Sequence, residues 1–216
     1  MINLKIYIKL IKRYNSPSLW LRFYIFVRLL VCPFDKILYF LPKMKTLIDV
    51  GCGSGLWLNF LALKQKNIDL LMGVDIDGRK LKLARSSKNK KIKYLDLKEY
   101  GNQKISTDCI TLIDVVYLLS KDEQKKLFQD CFQRLNDGGG LFIKDVLTEP
   151  YWKFLFNYMQ EFISVRVLHI TYGQKFFWLT ENYLINILSH IGFKEIRIER
   201  IDRWYPYPHF LCIAKK

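Results

Sequence analysis

The stretch Thr46-Leu-Ile-Asp-Val-Gly-Cys-Gly-Ser-Gly55 decides how the rest of this chain is read. Its first five residues form a short apolar, β-branched run of the kind that makes a buried parallel strand, with Asp49 near the carboxyl end. Gly51, Gly53 and Gly55 then alternate through a tight turn, and an apolar helix opens at Leu56. Glycines at such a turn let backbone N–H groups come close to a ligand at a helix N-terminus, where the helix dipole favours anions. Asp49 sets this loop apart. A carboxylate beside the turn is ill suited to a pyrophosphate and well suited to an ammonium or sulfonium group.

Outward from that turn the chain alternates strand and helix. Apolar runs at 46–50, 70–74, 91–95, 108–113 and 139–147 read as strands, with helices over 56–66, 78–87 and 121–135 between most of them. Ser120 and Glu123 form a capping-box pattern for the last helix, and turn residues Asp137-Gly-Gly-Gly140 close it. Alternation of this kind implies an α/β fold with a doubly wound, mostly parallel sheet. The last third differs. Thr180 caps a helix through Ser189, and strands at 194–201 and 210–214 follow with no helix between them, which reads as an antiparallel hairpin.

The order Asp49-x-Gly51-x-Gly53-x-Gly55 resembles motif I of class I S-adenosylmethionine-dependent methyltransferases. The resemblance implies a seven-stranded Rossmann-like sheet ending in that antiparallel hairpin, and S-adenosylmethionine as cofactor. Asp75, twenty residues after Gly55, stands where an acid accepts hydrogen bonds from ribose hydroxyls, although a helix-initiating aspartate fits too and Asp77 fills that role at least as well. Asp96 matches the family's adenine-edge position; a surface-turn aspartate looks the same. Asp114 matches motif IV, beside the gap where the methyl group moves, with a helix-cap acid as the alternative. The implied cofactor-binding set also takes in Cys52, Ile76, Leu97 and Val115. A nicotinamide dehydrogenase would need Gly-x-Gly-x-x-Gly, whereas Leu56 occupies the third glycine's place.

The length suits a single substantial core, and half of the 216 residues are apolar. Five scattered cysteines form no C-x-x-C pair and the three histidines stand alone, a pattern of reduced thiols in a cytoplasmic setting with no metal-ligand spacing. The net charge is +15, and residues 1–45 carry nine basic residues against one acid. Residues 1–43 therefore read as a helical basic and apolar arm ahead of a methyltransferase domain over 44–216. Ser16-Pro17 reads as its second helix's N-cap and first position. Arg22, Arg28, Asp35 and Lys36 interrupt the apolar run too often for a membrane span. Two compatible readings of the arm stay open: a cap over the catalytic domain, and an element lying on an anionic membrane surface at its inner face.

Transfer from a sulfonium is an in-line displacement, so alignment supplies much of the rate and a general base can assist. The final hairpin's turn brings His209 and Tyr207 to the sheet edge where the strands' carboxyl ends open, along with Asp145 from the fifth strand. His209 is the first choice for a base, against the alternative of a turn histidine bonded to backbone. The connection 149–179 reads as an aromatic lid, carrying Tyr151, Trp152, Phe154, Phe176, Phe177 and Trp178 among others. That suits a small-molecule or lipid-linked acceptor with acyl or aryl character, although some of these rings must fill core. The strings Asp114-Val-Val-Tyr-Leu-Leu119, Ile143-Lys-Asp-Val146 and Pro206-Tyr-Pro-His209 resemble stand-alone bacterial methyltransferases that work beside fatty-acid- or polyketide-like synthases. The charge also allows an RNA acceptor. Asp114-Val-Val-Tyr117 in place of an Asn/Asp-Pro-Pro-Tyr tetrad argues against methylation of a base amine. A non-catalytic scaffold fits poorly with an intact acidic series from Asp49 to Asp114.

Overall fold

A computed structural model of the chain describes residues 4–15, 17–148 and 176–216. Seven strands form one sheet in the order β3-β2-β1-β4-β5-β7-β6. They are β1 (Thr46–Val50), β2 (Leu70–Asp75), β3 (Ile92–Asp96), β4 (Thr107–Ile113), β5 (Leu135–Val146), β6 (Lys194–Arg200) and β7 (His209–Lys215). β1, β2 and β3 pair in parallel, and β7 runs antiparallel to both β5 and β6. The doubly wound sheet with its terminal hairpin is therefore the architecture expected. Two compact units divide the chain at residues 111 and 112.

In the first unit, helices α1 (Leu4–Ile11), α2 (Leu19–Val31) and α3 (Phe34–Phe40) precede β1. Helix α4 (Leu56–Lys64) is buried along Leu56–Leu61, so it is apolar on every side and needs cover on every side. Part of that cover is α3: Phe34 packs on Trp57 and Phe60 with ring centroids 5.3 and 5.4 Å apart. The buried Asn59 is satisfied: its amide donates to Gly55 O at 2.9 Å and Tyr94 Oη at 3.2 Å, while Ser87 Oγ donates to its carbonyl at 2.8 Å. Helices α5 (Gly78–Arg85) and α6 (Leu97–Gly101) follow β2 and β3. The sequence pattern does not predict α6, a single capped turn.

One cap lies elsewhere than expected. Ser18, not Ser16, caps α2: its backbone is non-helical at φ −59°, ψ 159°, and its hydroxyl accepts the Leu21 N–H at 3.1 Å. Pro17 thus precedes the cap instead of opening the helix.

In the second unit, Val116–Leu118 makes a 3₁₀ turn after β4, and α7 (Lys121–Arg134) carries the Ser120/Glu123 capping box. The turn expected at Asp137–Gly140 is instead part of β5, which starts directly after α7 because Gly138 N–H donates to Lys216 O and Lys216 N–H to Gly139 O. Helix α8 (Glu181–Ile191) opens on Thr180, whose hydroxyl accepts the Tyr183 N–H. Strand β7 begins at His209, one residue earlier than the pattern indicates, so His209 belongs to the ladder and not to the turn. Most of the aromatic connection, residues 149–175, lies outside the described residues.

Candidate functional site

The acids of the first unit sit at the carboxyl ends of three adjacent parallel strands. The β1–β2 register sets Asp49 beside Gly73, and the β2–β3 register sets Asp75 beside Asp96. That juxtaposition follows from strand order alone, since parallel neighbours end on the same side.

Asp49 is 2% exposed, and Thr111 Oγ1 donates to it at 2.7 Å. Burial raises its pKa to about 7, the negative charge of Asp75 adds to the rise, and the Thr111 bond and the Arg28 charge oppose it. Desolvation therefore outweighs every stabilising contact of this carboxylate.

The loop that follows spends its amides internally. Gly51 and Cys52 N–H both donate to Val74 O, at 2.7 and 3.0 Å, Gly53 N–H donates to Asp75 Oδ2 at 2.7 Å, and Gly55 N–H donates to Cys52 O at 2.9 Å. The turn is thus not the bare amide cradle that its glycines suggest. It places carboxylates where a phosphate loop would place N–H groups, and such a donor set fits a cation. Gly51, Gly53 and Gly55 all have positive φ, which is what bends the chain so tightly. Cys52 is buried, which raises its pKa well above the ordinary thiol range and keeps it neutral.

Asp75 is buried and accepts Asp77 N–H with its other oxygen at 2.8 Å, while Asp77 caps α5 by accepting Arg79 N–H at 2.9 Å. Asp77 thus takes the helix-starting role that was the alternative for Asp75, and Asp75 braces the glycine loop. Asp96 caps α6, accepting Glu99 N–H at 2.8 Å in a reciprocal capping box. Next to this acidic pair, Ile76 is 76% and Leu97 47% exposed. Two apolar side chains are thus left in water directly after the paired strand-end acids.

Tyr14 is a residue the sequence pattern gives no reason to single out. It is buried, its hydroxyl donates to Ser54 O at 3.0 Å, and its backbone bridges to Ser87. The arm is thereby tied to the glycine turn itself. A lone tyrosine ending a basic helix carries no periodic signal.

In the second unit, Asp114 adopts φ 55°, a left-handed conformation uncommon outside glycine and tolerated best by Asp and Asn. Its N–H donates to Lys144 O at 2.8 Å, and the buried Lys144 ammonium pairs with its carboxylate. Lys144 was not among the expected site residues. Its signal is a lone lysine in the middle of an apolar strand, where an ammonium is rarely buried without a paired acid. Replacing Lys144 with Met should cost about 2 kcal/mol by leaving Asp114 without this cation, less than for a fully buried carboxylate because Asp114 keeps some exposure. Adding Asp114→Asn should recover most of that loss in urea unfolding. A Lys144→Met variant as stable as wild type would show that the pair contributes nothing.

Asp145 is fully buried, with its oxygens accepting Tyr117 N–H at 3.2 Å and its neighbour Val146 N–H at 2.9 Å. Burial and the charge of Asp114 push its pKa up, and Lys144 pulls it down. With both oxygens on backbone donors, Asp145 holds the 3₁₀ turn beside Val115. His209 lies opposite Val146 across the β5–β7 ladder; it is buried, with the Tyr205 and Tyr207 rings at 5.6 and 5.5 Å. Asp145 and His209 thus lie on the paired strands β5 and β7, and the buried Tyr207 stands in the connection just ahead of β7. At the return of the aromatic connection, Trp178 stacks on Tyr117 at 5.3 Å and Phe176 lies 5.9 Å from the same ring. Phe177 N–H donates to Tyr117 O at 2.8 Å.

A family model described as a methyltransferase domain matches residues 26–197. Among solved structures, "PigF with SAH" superposes with a TM-score of 0.67 at 15% identity, over 90% of this chain and 58% of that one. Human N-acetylserotonin methyltransferase in complex with SAM gives 0.66 at 15% identity, over 94% and 60%. A Thermotoga maritima SAM-dependent methyltransferase, described as a possible histamine N-methyltransferase, gives 0.65 at 16% identity, over 89% and 93%. The chain thus spans somewhat over half the length of the first two proteins. No curated protein matches the sequence.

Proposed function

This chain belongs to the class I S-adenosylmethionine-dependent methyltransferase family, and from that premise we propose that it transfers a methyl group to an apolar small-molecule or lipid-linked acceptor. The observation that carries the reading is Asp49. A carboxylate only 2% exposed, with its pKa raised to about 7 and a second buried acid adding to the rise, is a site in deficit of positive charge. The cofactor's sulfonium supplies an activated methyl group and part of that positive charge.

The chain's own residues then do the positioning. Asp49 balances the ligand's cationic end, Asp75 takes the ribose hydroxyls, and Asp96 takes the edge of the base. Ile76 and Leu97 cover its faces, while Gly51, Cys52, Gly53 and Gly55 shape the turn. Asp114 and Val115 line the transfer gap. His209 is the proposed base, with Tyr207 and Asp145 as its alternates. The stacked Tyr117 and Trp178, with Phe176 tilted against both, favour an apolar or aromatic acceptor. N-acetylserotonin methyltransferase, among the structural neighbours, is likewise named for a small aromatic compound. The arm over 1–43 would keep the enzyme close to a lipid-linked acceptor.

Calorimetry with S-adenosylmethionine tests the first step. Wild type should bind it, and Asp75→Asn should weaken binding roughly tenfold by removing charged acceptors for the ribose hydroxyls. Equal binding by both, or by neither, overturns the reading. Labelled-methyl transfer into a cell extract, sorted into lipid, small-molecule, RNA and protein fractions, then identifies the acceptor. Label confined to RNA would replace the apolar acceptor.

A further inference from the structure

Helix α2 is apolar nearly all round, yet only one side of it is covered. Leu21 and Ile25 are buried, while Leu19 at 83%, Trp20 at 57% and Phe23 at 57% are exposed, and Phe26 and Leu30 continue the uncovered row. Leu19, Phe23, Phe26 and Leu30 recur at i, i+4, i+7 and i+11, so they form one continuous stripe. Helix α1 repeats the arrangement, with Leu10 buried and Leu4 and Ile8 exposed one turn apart. The two helices are joined by Tyr7, whose ring meets Phe26 edge-on at 5.7 Å and whose hydroxyl donates to Arg22 O at 3.3 Å.

The exposed apolar side chains have a basic border. Lys5, Lys9, Lys12 and Arg22 are all exposed, and the first acidic residue in the chain is Asp35. A soluble surface seldom leaves so many large apolar groups contiguous without a partner. A second copy is a poor partner, because a two-fold contact sets the same patch against itself and would bring the lysines of both copies together. No helix among the described residues is long and apolar enough to cross a membrane. What remains is an element that lies flat, with Leu and aromatic side chains at the acyl boundary and ammonium groups among headgroups.

We infer that the outer face of α1 and α2 docks on an anionic lipid surface through Leu4, Ile8, Leu19, Trp20, Phe23 and Leu30, with Lys9, Lys12 and Arg22 at the headgroups. This inference does not depend on the chemistry of the catalytic residues. The same arm carries Tyr14, which is hydrogen-bonded to the glycine turn, so the docking element is tied to that turn.

Co-flotation of the full chain with vesicles tests it. Binding is expected to phosphatidylcholine vesicles containing phosphatidylglycerol, at least about tenfold weaker to phosphatidylcholine alone, and progressively lost with salt. The double substitution Trp20→Ser/Phe23→Ser should lower binding about tenfold or more while circular dichroism and S-adenosylmethionine binding stay unchanged, since both side chains already face water. Lys9→Gln/Lys12→Gln should remove most of the preference for the anionic vesicles. Three results would overturn the inference: no binding to either vesicle, equal binding by the Trp20/Phe23 variant, or a dimer in sedimentation that this variant dissociates. Cofactor binding without vesicle binding would end the docking inference and leave the methyltransferase reading in place.

Discussion

Replacing Asp49 with Asn is expected to make the protein more stable and its cofactor binding much weaker. Asn keeps an oxygen to accept the Thr111 hydroxyl but removes the charge that burial disfavours. The ordinary aspartate value of 3.8 is raised here to about 7. Between those values the folded chain holds a proton that the unfolded chain has released, so folding stability falls as pH rises through that window. Above it the ionised carboxylate costs the fold its full penalty, and Asp49→Asn should gain on the order of 2–4 kcal/mol at pH 8. Near pH 4 the two proteins should unfold alike.

The same substitution removes the partner for a cationic ligand, and S-adenosylmethionine affinity should fall by about 100-fold or more. Wild type carries a further signature. Binding a cation returns Asp49 toward its ordinary range, so near pH 6 the complex should release a proton, and above pH 8 it should not. Calorimetry in buffers of different ionisation enthalpy measures that release directly. An Asp49→Asn variant no more stable at pH 8, with an unchanged Kd, would remove the basis for the cation site.

The second large effect separates two glycines that look equivalent in the sequence. Gly53 and Gly55 have φ of 54° and 74°, so a side chain at either is strained. Their surroundings differ. A Cβ on Gly53 would meet only Lys80 Cδ at 4.0 Å, whereas one on Gly55 would fall 2.3 Å from Tyr94 Oη and 2.7 Å from the ring. Tyr94 has no room to yield, since it is buried and its hydroxyl is held by Asn59. Gly53→Ala should therefore cost about 1 kcal/mol, the backbone term alone. Gly55→Ala should cost about 3–4 kcal/mol, the backbone term plus overpacking against a rigid ring. Urea unfolding of both variants checks the difference, and equal losses would show that the Tyr94 contact does not matter.

The placement of the first unit's acids was readable from residue order, and the reason is geometric. In a parallel sheet the strand ends point one way, so acids at the ends of successive apolar runs must share an edge. That rule sets Asp49, Asp75 and Asp96 on one edge; the roles expected of Asp49 and Asp96 came from the resemblance to the family. The strand that carries Asp49 also read as buried from its β-branched run. What each carboxylate holds could not be read in that way. Asp75 bracing Gly53, Asp96 capping a short helix and Arg28 acting on Asp49 all depend on side-chain distances between segments far apart in the chain.

The second unit shows where residue order stops being informative. Lys144 reads as an anomaly in a strand until its ammonium is found beside the left-handed Asp114. His209 reads as a turn residue until the β5–β7 register sets it opposite Val146. Both facts are properties of strand pairing. The sequence alone determined the parallel α/β alternation, the acidic strand ends and the glycine turn, because short-range periodicity and backbone sterics encode them. Only the tertiary structure decided that the turn's amides are spent inside the protein, that Lys144 serves Asp114, and that the arm's apolar stripe stays uncovered. Those outcomes turn on which groups meet across distant segments, and no local pattern carries that information.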